Sequence, residues 1–227
     1  MNQGWQDYET QISGAIRLFR KLNAPNKRLI LQQGGHTVGA REISRIETLR
    51  WMDHWLKGID NGVEKEGPVT VWWDVQDDQS TGRGILKPTW ITTHTTWPIP
   101  GVKEETYYLT VDGMLSKDKP TASPFNGARK YLSGPGTEMV ANNDYFALPP
   151  VPYGVLNYRT EPVTEDTTIL GYSQFTFYLS SDQQTDTDVM VTLHDIDEQG
   201  NILYLQADIL RASLRAIDTK NSYPDEQ

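Results

Sequence analysis

The stretch from Gly4 to Gly58 decides the fold of the chain. It consists of Gly4-Trp5-Gln6-Asp7, an amphipathic segment over residues 9–22, the run Arg28-Leu29-Ile30-Leu31, the tripeptide Gly34-Gly35-His36, and a second amphipathic segment over residues 41–57. A short apolar run such as Leu29-Ile30-Leu31 is typical of a strand that is buried on both faces in a parallel sheet. The stretch therefore predicts a turn with an acid, a helix, a strand, a turn with a histidine, and a closing helix.

Both amphipathic segments repeat apolar residues every three or four positions, which is the period of one helix face. The repeating residues are Ile12, Ala15, Ile16, Phe19 and Leu22 in the first segment, and Ile43, Ile46, Leu49, Met52, Trp55 and Leu56 in the second. Pro25 is expected to end the first helix, and Gly58 and Gly62 the second. One strand and two helices cannot cover a parallel sheet, so we expect residues 1–62 not to fold independently. We also expect them to associate through exposed apolar side chains, namely Trp5, Phe19, Ile30 and Leu31.

Helical periodicity disappears near residue 63, and short β-rich runs follow. The clearest are residues 69–73, 106–111, 175–179, 189–193 and 202–205, and weaker ones cover 90–95 and 154–158. A turn-rich segment, residues 194–201, predicts a hairpin connection. Residues 116–143 are polar and are expected to form a surface excursion with little regular structure. Several short strands with this spacing predict an antiparallel sandwich or jelly roll, so the fold class is α/β followed by β.

Charge and composition exclude several classes of protein. A formal net charge of −9 and a pI near 4.9 argue against nucleic acid or an anionic membrane as a main partner. No run approaches 18 apolar residues, and the first residues lack the basic and apolar regions of a signal peptide, which predicts a cytoplasmic protein without a membrane span. Because the chain has no cysteine, disulfides, thiolate catalysis and cysteine-ligated metal are excluded.

Several of these motifs together resemble the CocE/NonD (cocaine-esterase-like) hydrolases, relatives of the X-Pro dipeptidyl-peptidases. In that family the acid lies in a Gly-Trp-x-Asp turn, and the histidine follows about thirty residues later in a Gly-x-His turn; residues 4–7 and 34–36 match both. Residues 49–58 resemble the family's exit helix, and residues 68–72 the first strand of its jelly roll. Residues 180–189 and 193–200 resemble the jelly roll's central hairpins. The resemblance implies that residues 1–62 are the C-terminal part of an α/β-hydrolase domain and residues 63–227 a jelly-roll domain.

The resemblance also implies a serine hydrolase in which Asp7 and His36 are the acid and the base of the triad. Partners in this fold come in the order Ser, then Asp or Glu, then His. The chain contains no Gly-x-Ser-x-Gly, and its nearest look-alike, residues 171–175, lacks the second glycine. We therefore expect the serine to lie upstream of residue 1, both ends to be shortened relative to the family, and the chain alone to be inactive. The missing N-terminal part of the hydrolase domain is then a partner. No metal or organic cofactor is needed for this chemistry.

Other candidate residues favour structural roles. His54 is interpreted as a helix-surface residue, His94 as an outward strand residue, and His194 with Asp195 and Asp197 as a turn rather than a calcium loop. Four tryptophans, Trp72, Trp73, Trp90 and Trp97, leave open an alternative function: a non-catalytic jelly-roll module that binds carbohydrate or protein, with a helical leader. An ester, an amide or an X-Pro peptide all remain candidate substrates, and a homo-oligomer remains open.

Overall fold

The predicted apolar run forms the second strand of a four-stranded sheet. The computed structural model describes residues 1–7, 12–73, 88–121, 128–131, 155–182 and 186–221. The four strands are β1 (Asn2–Gly4), β2 (Leu29–Gln32), β3 (Val69–Trp73) and β4 (Trp90–His94), in the order β1-β2-β3-β4. β1 and β3 both pair with β2 in parallel, and β4 pairs with β3 antiparallel. All four residues of β2 are buried, which confirms the prediction of a strand covered on both faces.

The chain itself supplies a strand that precedes the acid turn, β1, which the sequence did not predict. β1 is only three residues long, and its register places Asn2 opposite Ile30 and Gly4 opposite Gln32. The terminal ammonium of Met1 continues the pairing by donating to the Arg28 carbonyl at 2.7 Å. Three residues that include two amides and a glycine carry no periodic signal, because sheet pairing rather than sequence pattern defines so short a strand.

Both predicted helices form. The first, α1, covers Ile12–Lys21 and buries Ile16 and Phe19, as its period predicts. The second, α2, covers Glu42–Lys57 and follows a 3-10 turn over His36–Ala40. It ends at Gly58 in the left-handed conformation, with φ of 69°, as expected for a glycine after a helix.

The exposed apolar residues are not the ones that were expected. Phe19, Ile30 and Leu31 are buried, at 4%, 6% and 0% exposure, and Trp5 is half-buried. Exposure falls instead on α2, where apolar side chains are 40% or more exposed: Ile46, Leu49, Met52, Trp55 and Leu56. This helix buries Ser44, and Ile43 packs against Ile30 and Trp72.

In the described residues, the later part of the chain contains two further strand pairs, which were only partly predicted. β5 (Tyr108–Leu109) pairs with β6 (Leu115–Ser116), and β7 (Asp188–Ile196) pairs with β8 (Ile202–Arg211), all antiparallel. The predicted hairpin connection is therefore present, although it is tighter than expected and runs from Asp197 to Asn201. The predicted strands over residues 175–179 and 155–158 are not formed; Phe175, Phe177, Tyr178 and Leu179 are exposed. Residue 154 and much of the polar segment over 116–143 lie outside the described residues.

The chain forms two compact units. One comprises Met1–Gly101 and Gly171–Gln227, and the other comprises Val102–Leu170. The boundary between residues 62 and 63 stays a prediction, as does the jelly roll; β3, which lies beyond that boundary, joins the same sheet as β1 and β2. In the described part of the chain, no helix combines the length and the apolar character that crossing a membrane requires.

Candidate functional site

Asp7 and His36 lie next to each other at one edge of the sheet. Because β1 and β2 are parallel, the turns that follow them leave the sheet at the same end. His36 Nδ1 lies 3.3 Å from Asp7 Oδ2, slightly beyond the 2.6–3.2 Å that is usual for such a contact. The carboxylate is 5% exposed, whereas the imidazole is 58% exposed. The structure thus brings the two sequence-predicted residues together, with the acid buried and the base open to solvent.

Backbone hydrogen bonds join the two turns directly. Trp5 N–H donates to the Gln32 carbonyl at 2.7 Å, and Gln6 N–H donates to the Gly34 carbonyl at 3.1 Å. In return, Gly34 N–H donates to the side-chain oxygen of Gln6, which is 8% exposed. Three hydrogen bonds across two short turns leave the acid turn and the histidine turn little freedom to move apart.

Gly4 permits this close approach. A Cβ atom at this position would lie 2.5 Å from the Gly35 carbonyl oxygen and closer still to that of Gly34. Real Cβ atoms do not approach backbone oxygens this closely, so any side chain would push the histidine turn away. This explains physically why the Gly-Trp-x-Asp motif begins with glycine: the histidine turn occupies the space that a side chain at residue 4 would need.

Asp7 is held by a second side chain. Gln3 Nε2 donates to Asp7 Oδ2 at 3.1 Å, on the same oxygen that His36 contacts. A neutral imidazole with its proton on Nδ1 donates that proton to Asp7, which leaves Nε2 as the basic nitrogen. A buried carboxylate in this position selects the tautomer and stabilises the imidazolium that forms when Nε2 accepts a proton. The arrangement is chemically suited to general-base catalysis.

Three glutamines around the two turns were missed by the sequence analysis. Each makes a side-chain hydrogen bond that links two different turns, strands or helices: Gln3 with Asp7, Gln6 with Gly34, and Gln32 with Ser44. Their partners are up to thirty residues away in sequence, as in the bond from Gln32 to Asn2, so no local period or spacing indicates them. One signal was available in the sequence: Gln32 directly follows the apolar run Leu29-Ile30-Leu31, at a position where an apolar residue is usual in a buried strand.

The C-terminal hairpin and an aromatic cluster contact the acid turn. Gln206 Nε2, on β8, donates to the Trp5 carbonyl at 2.6 Å. The Trp5 ring packs edge-on against Trp97, with 6.2 Å between ring centroids, and Trp97 packs edge-on against Tyr172 at 6.0 Å. Trp97 is 5% exposed, so this ring belongs to the core beside the acid turn.

The remaining histidines occupy structural positions. His54 Nδ1 lies 3.0 Å from the Ile59 carbonyl at the end of α2, and His94 Nε2 lies 3.0 Å from Thr92 Oγ1 on β4. On the hairpin, His194 packs edge-on against Tyr204; burial lowers the pKa of His194 and raises the pKa of Tyr204 to about 12. Among the described residues, no group of three or more His, Asp or Glu side chains is arranged to hold a metal ion.

The four tryptophans do not form a shared surface. Trp72 and Trp97 are buried, at 3% and 5% exposure, whereas Trp90 is 49% exposed. Trp90 stacks on Trp73 across β3 and β4, with 5.7 Å between centroids and 12° between planes. This contact is that of an ordinary cross-strand aromatic pair.

Comparisons with known proteins agree on one family. Residues 61–225 match the family model described as the X-Pro dipeptidyl-peptidase C-terminal non-catalytic domain. A protein of Mycobacterium bovis named as a serine esterase is 27% identical over 94% of this chain and 35% of its own length. A protein of Rhodopirellula baltica named as an Xaa-Pro dipeptidyl-peptidase is 30% identical over 65% of this chain and 20% of its own length.

A solved structure has the same fold. The crystal structure of a CocE/NonD family hydrolase from Staphylococcus aureus covers all of this chain with a TM-score of 0.59, at 13% identity and over 38% of its own length. The chain thus spans about a third of the length of the serine esterase and the solved structure that it matches. Asp7 and His36 precede the residues matched by the non-catalytic domain model.

Proposed function

We propose, for a chain that belongs to the family of X-Pro dipeptidyl-peptidases and CocE/NonD hydrolases, that Asp7 and His36 are the acid and the general base of a Ser-His-Asp triad. The observation that carries the proposal is the 3.3 Å contact between His36 Nδ1 and the buried carboxylate of Asp7. The order of the two residues along the chain is that of an α/β-hydrolase, in which the serine comes first.

In the proposed reaction, His36 Nε2 removes the proton of a serine hydroxyl as that oxygen attacks the carbonyl carbon of an ester or amide. The imidazolium then gives the proton to the leaving alcohol or amine, and an acyl-enzyme remains. Water, deprotonated by the same nitrogen, attacks the acyl carbon; the bond to the serine oxygen breaks, the acid is released, and the imidazolium returns the proton to the serine oxygen. Asp7 keeps Nδ1 protonated throughout and stabilises the imidazolium. The exposure of the His36 imidazole supports its role as the base, because Nε2 must contact a serine hydroxyl that lies outside the two turns.

The serine belongs, in this proposal, to a part of a longer hydrolase that packs along β1. Among the described residues, β1 pairs with β2 alone, so one edge of the sheet is available for another strand. Beside this edge lies a cavity of about 420 Å³, whose lining includes Met1, Leu22, Ile30, Trp51 and Met52. An open strand edge next to an apolar cavity suits a further strand and helix of the same sheet. The greater length of the relatives supports such a segment.

The proposal is tested with a hybrid hydrolase. This chain replaces the matching segment of the M. bovis relative, and hydrolysis of a p-nitrophenyl ester is measured. We expect Asp7→Asn and His36→Gln to lower kcat by about 10³- to 10⁴-fold with little change in KM, because both residues act in the transition state.

The matched controls are Asp195→Asn on β7 and His94→Gln on β4, which remove the same chemical groups away from the site. Both should retain activity within about twofold, as expected for substitutions outside the catalytic machinery. An active hybrid whose rate is insensitive to His36→Gln would contradict the assignment.

A further inference from the structure

The loop that carries His36 rests on buried polar side chains, with Gln32 at their centre. Gln32 is the last residue of β2 and is 1% exposed. Its Nε2 donates to Asn2 Oδ1 at 2.5 Å and to Ser44 Oγ at 2.9 Å. Its Oε1 accepts from the guanidinium of Arg41 at 3.1 Å. A buried amide is costly unless its polar atoms are bonded, and here both donors and the acceptor of Gln32 are used.

The partners of Gln32 in turn hold the histidine loop. Ser44 Oγ, 1% exposed on α2, donates to the Val38 carbonyl at 2.8 Å. Arg41 donates to the Gln33 carbonyl at 2.7 Å. The Gln33 carbonyl lies three residues before His36, and the Val38 carbonyl lies two residues after it. The position of the loop between them is therefore linked through Gln32 to β1 and α2.

We infer that Gln32 is a positioning residue for His36, an inference that rests on the proposed function. Gln32 contacts neither the imidazole nor Asp7 in the described contacts. It acts through Ser44 and Arg41, which donate hydrogen bonds to the loop on both sides of His36. Glutamine suits the position because it donates and accepts at once. Leucine would leave Ser44 and Arg41 without this partner, and glutamate would lose both donated bonds.

The experiment measures the tautomer of neutral His36 in the ¹⁵N-labelled 227-residue chain by NMR. The native chain should carry the ring proton on Nδ1, where Asp7 accepts it. Gln32→Leu should lower the ratio of the Nδ1–H to the Nε2–H tautomer about tenfold, comparable to the loss of one hydrogen bond to a charged group. Ser44→Ala and Gln32→Glu, which preserve more of the packing, should change the ratio in the same direction.

The matched control is Thr48→Val. Thr48 Oγ1 donates to the Ser44 carbonyl at 2.8 Å, one turn further along α2, so this variant removes a hydrogen bond from the same helix that does not reach the loop. It should leave the tautomer ratio unchanged.

The outcomes separate the two proposals. A native spectrum with the proton on Nε2 would overturn the Asp7–His36 pair and, with it, the role of Gln32. A native Nδ1–H signal that persists unchanged in Gln32→Leu, Ser44→Ala and Gln32→Glu would overturn the positioning role alone. If Gln32→Leu does not fold, the other two variants decide between a positioning and a merely structural role.

Discussion

Gly4 has no room for a side chain, because the histidine turn passes beside it. The constraint comes from backbone oxygens, which cannot rotate away as a flexible side chain can. At the scale of single residues, the contact between Asp7 and His36 is therefore possible because residue 4 is a glycine and has no Cβ atom. The same close approach allows the three hydrogen bonds between the turns to form.

Replacing Gly4 with alanine should therefore destabilise the chain and separate the two turns. We expect a loss of about 1–3 kcal/mol in the free energy of unfolding, the usual cost of forcing an extra carbon into a packed site. Urea denaturation followed by tryptophan fluorescence measures it. The control is Gly14→Ala in α1, where an added Cβ meets nothing within 4 Å. That variant should be stabilised by about 0.5–1 kcal/mol, because alanine favours a helix more than glycine does. Equal effects of the two variants would contradict the account.

At the scale of elements, a closed ring of four charged side chains fixes α2. Arg28, which precedes β2, contacts Glu47 at 3.1 Å and Glu66 at 2.5 Å. Arg50 contacts the carboxylates of Glu47 and Glu66 at 2.7 and 2.5 Å. Its hydrogen bonds to Glu66, the larger cause, and to Glu47 raise the pKa of Arg50. The ring joins α2 to the start of β2 and to the segment before β3. It therefore supports the helix whose first turn holds the histidine loop.

We expect Glu47→Gln to lower the free energy of unfolding by about 2 kcal/mol, because two charge-assisted hydrogen bonds of a largely buried side chain are weakened. The Glu47 and Arg28 side chains are 15% and 10% exposed. Asp53→Asn, which weakens the exposed pair with Lys57 on the same helix, is the control and should cost less than about 0.5 kcal/mol. Urea denaturation compares the two. A loss no greater for Glu47→Gln than for Asp53→Asn would show that the ring does not stabilise the helix.

How far the sequence predicts these elements depends on the range of the interactions. The burial of Leu29–Leu31, the two helices and the end of α2 at Gly58 follow from local patterns, and the spacing of Asp7 and His36 follows from the family motif. The apolar stripe of α2 was also visible, but not its exposure, because that depends on what covers the helix. β1, Gln6 and Gln32 were not predicted, since they are defined by partners about thirty residues away.

At the scale of the whole molecule, apolar surface and an open strand edge lie on the part that carries the candidate triad. α2 exposes several large apolar side chains, and the β1 edge has no strand partner among the described residues. A patch of this kind usually marks a surface where more protein packs. The serine, in our proposal, arrives with the segment that covers this surface.

Labelling with a fluorophosphonate tests this central claim most directly, because such probes react with a serine activated by a neighbouring base. The 227-residue chain alone should keep its mass, since the proposed nucleophile lies outside it. The hybrid hydrolase should gain one adduct, located on a serine of the M. bovis segment, and His36→Gln should abolish it. Stoichiometric labelling of any serine within residues 1–227 of the chain, alone or in the hybrid, would contradict the account.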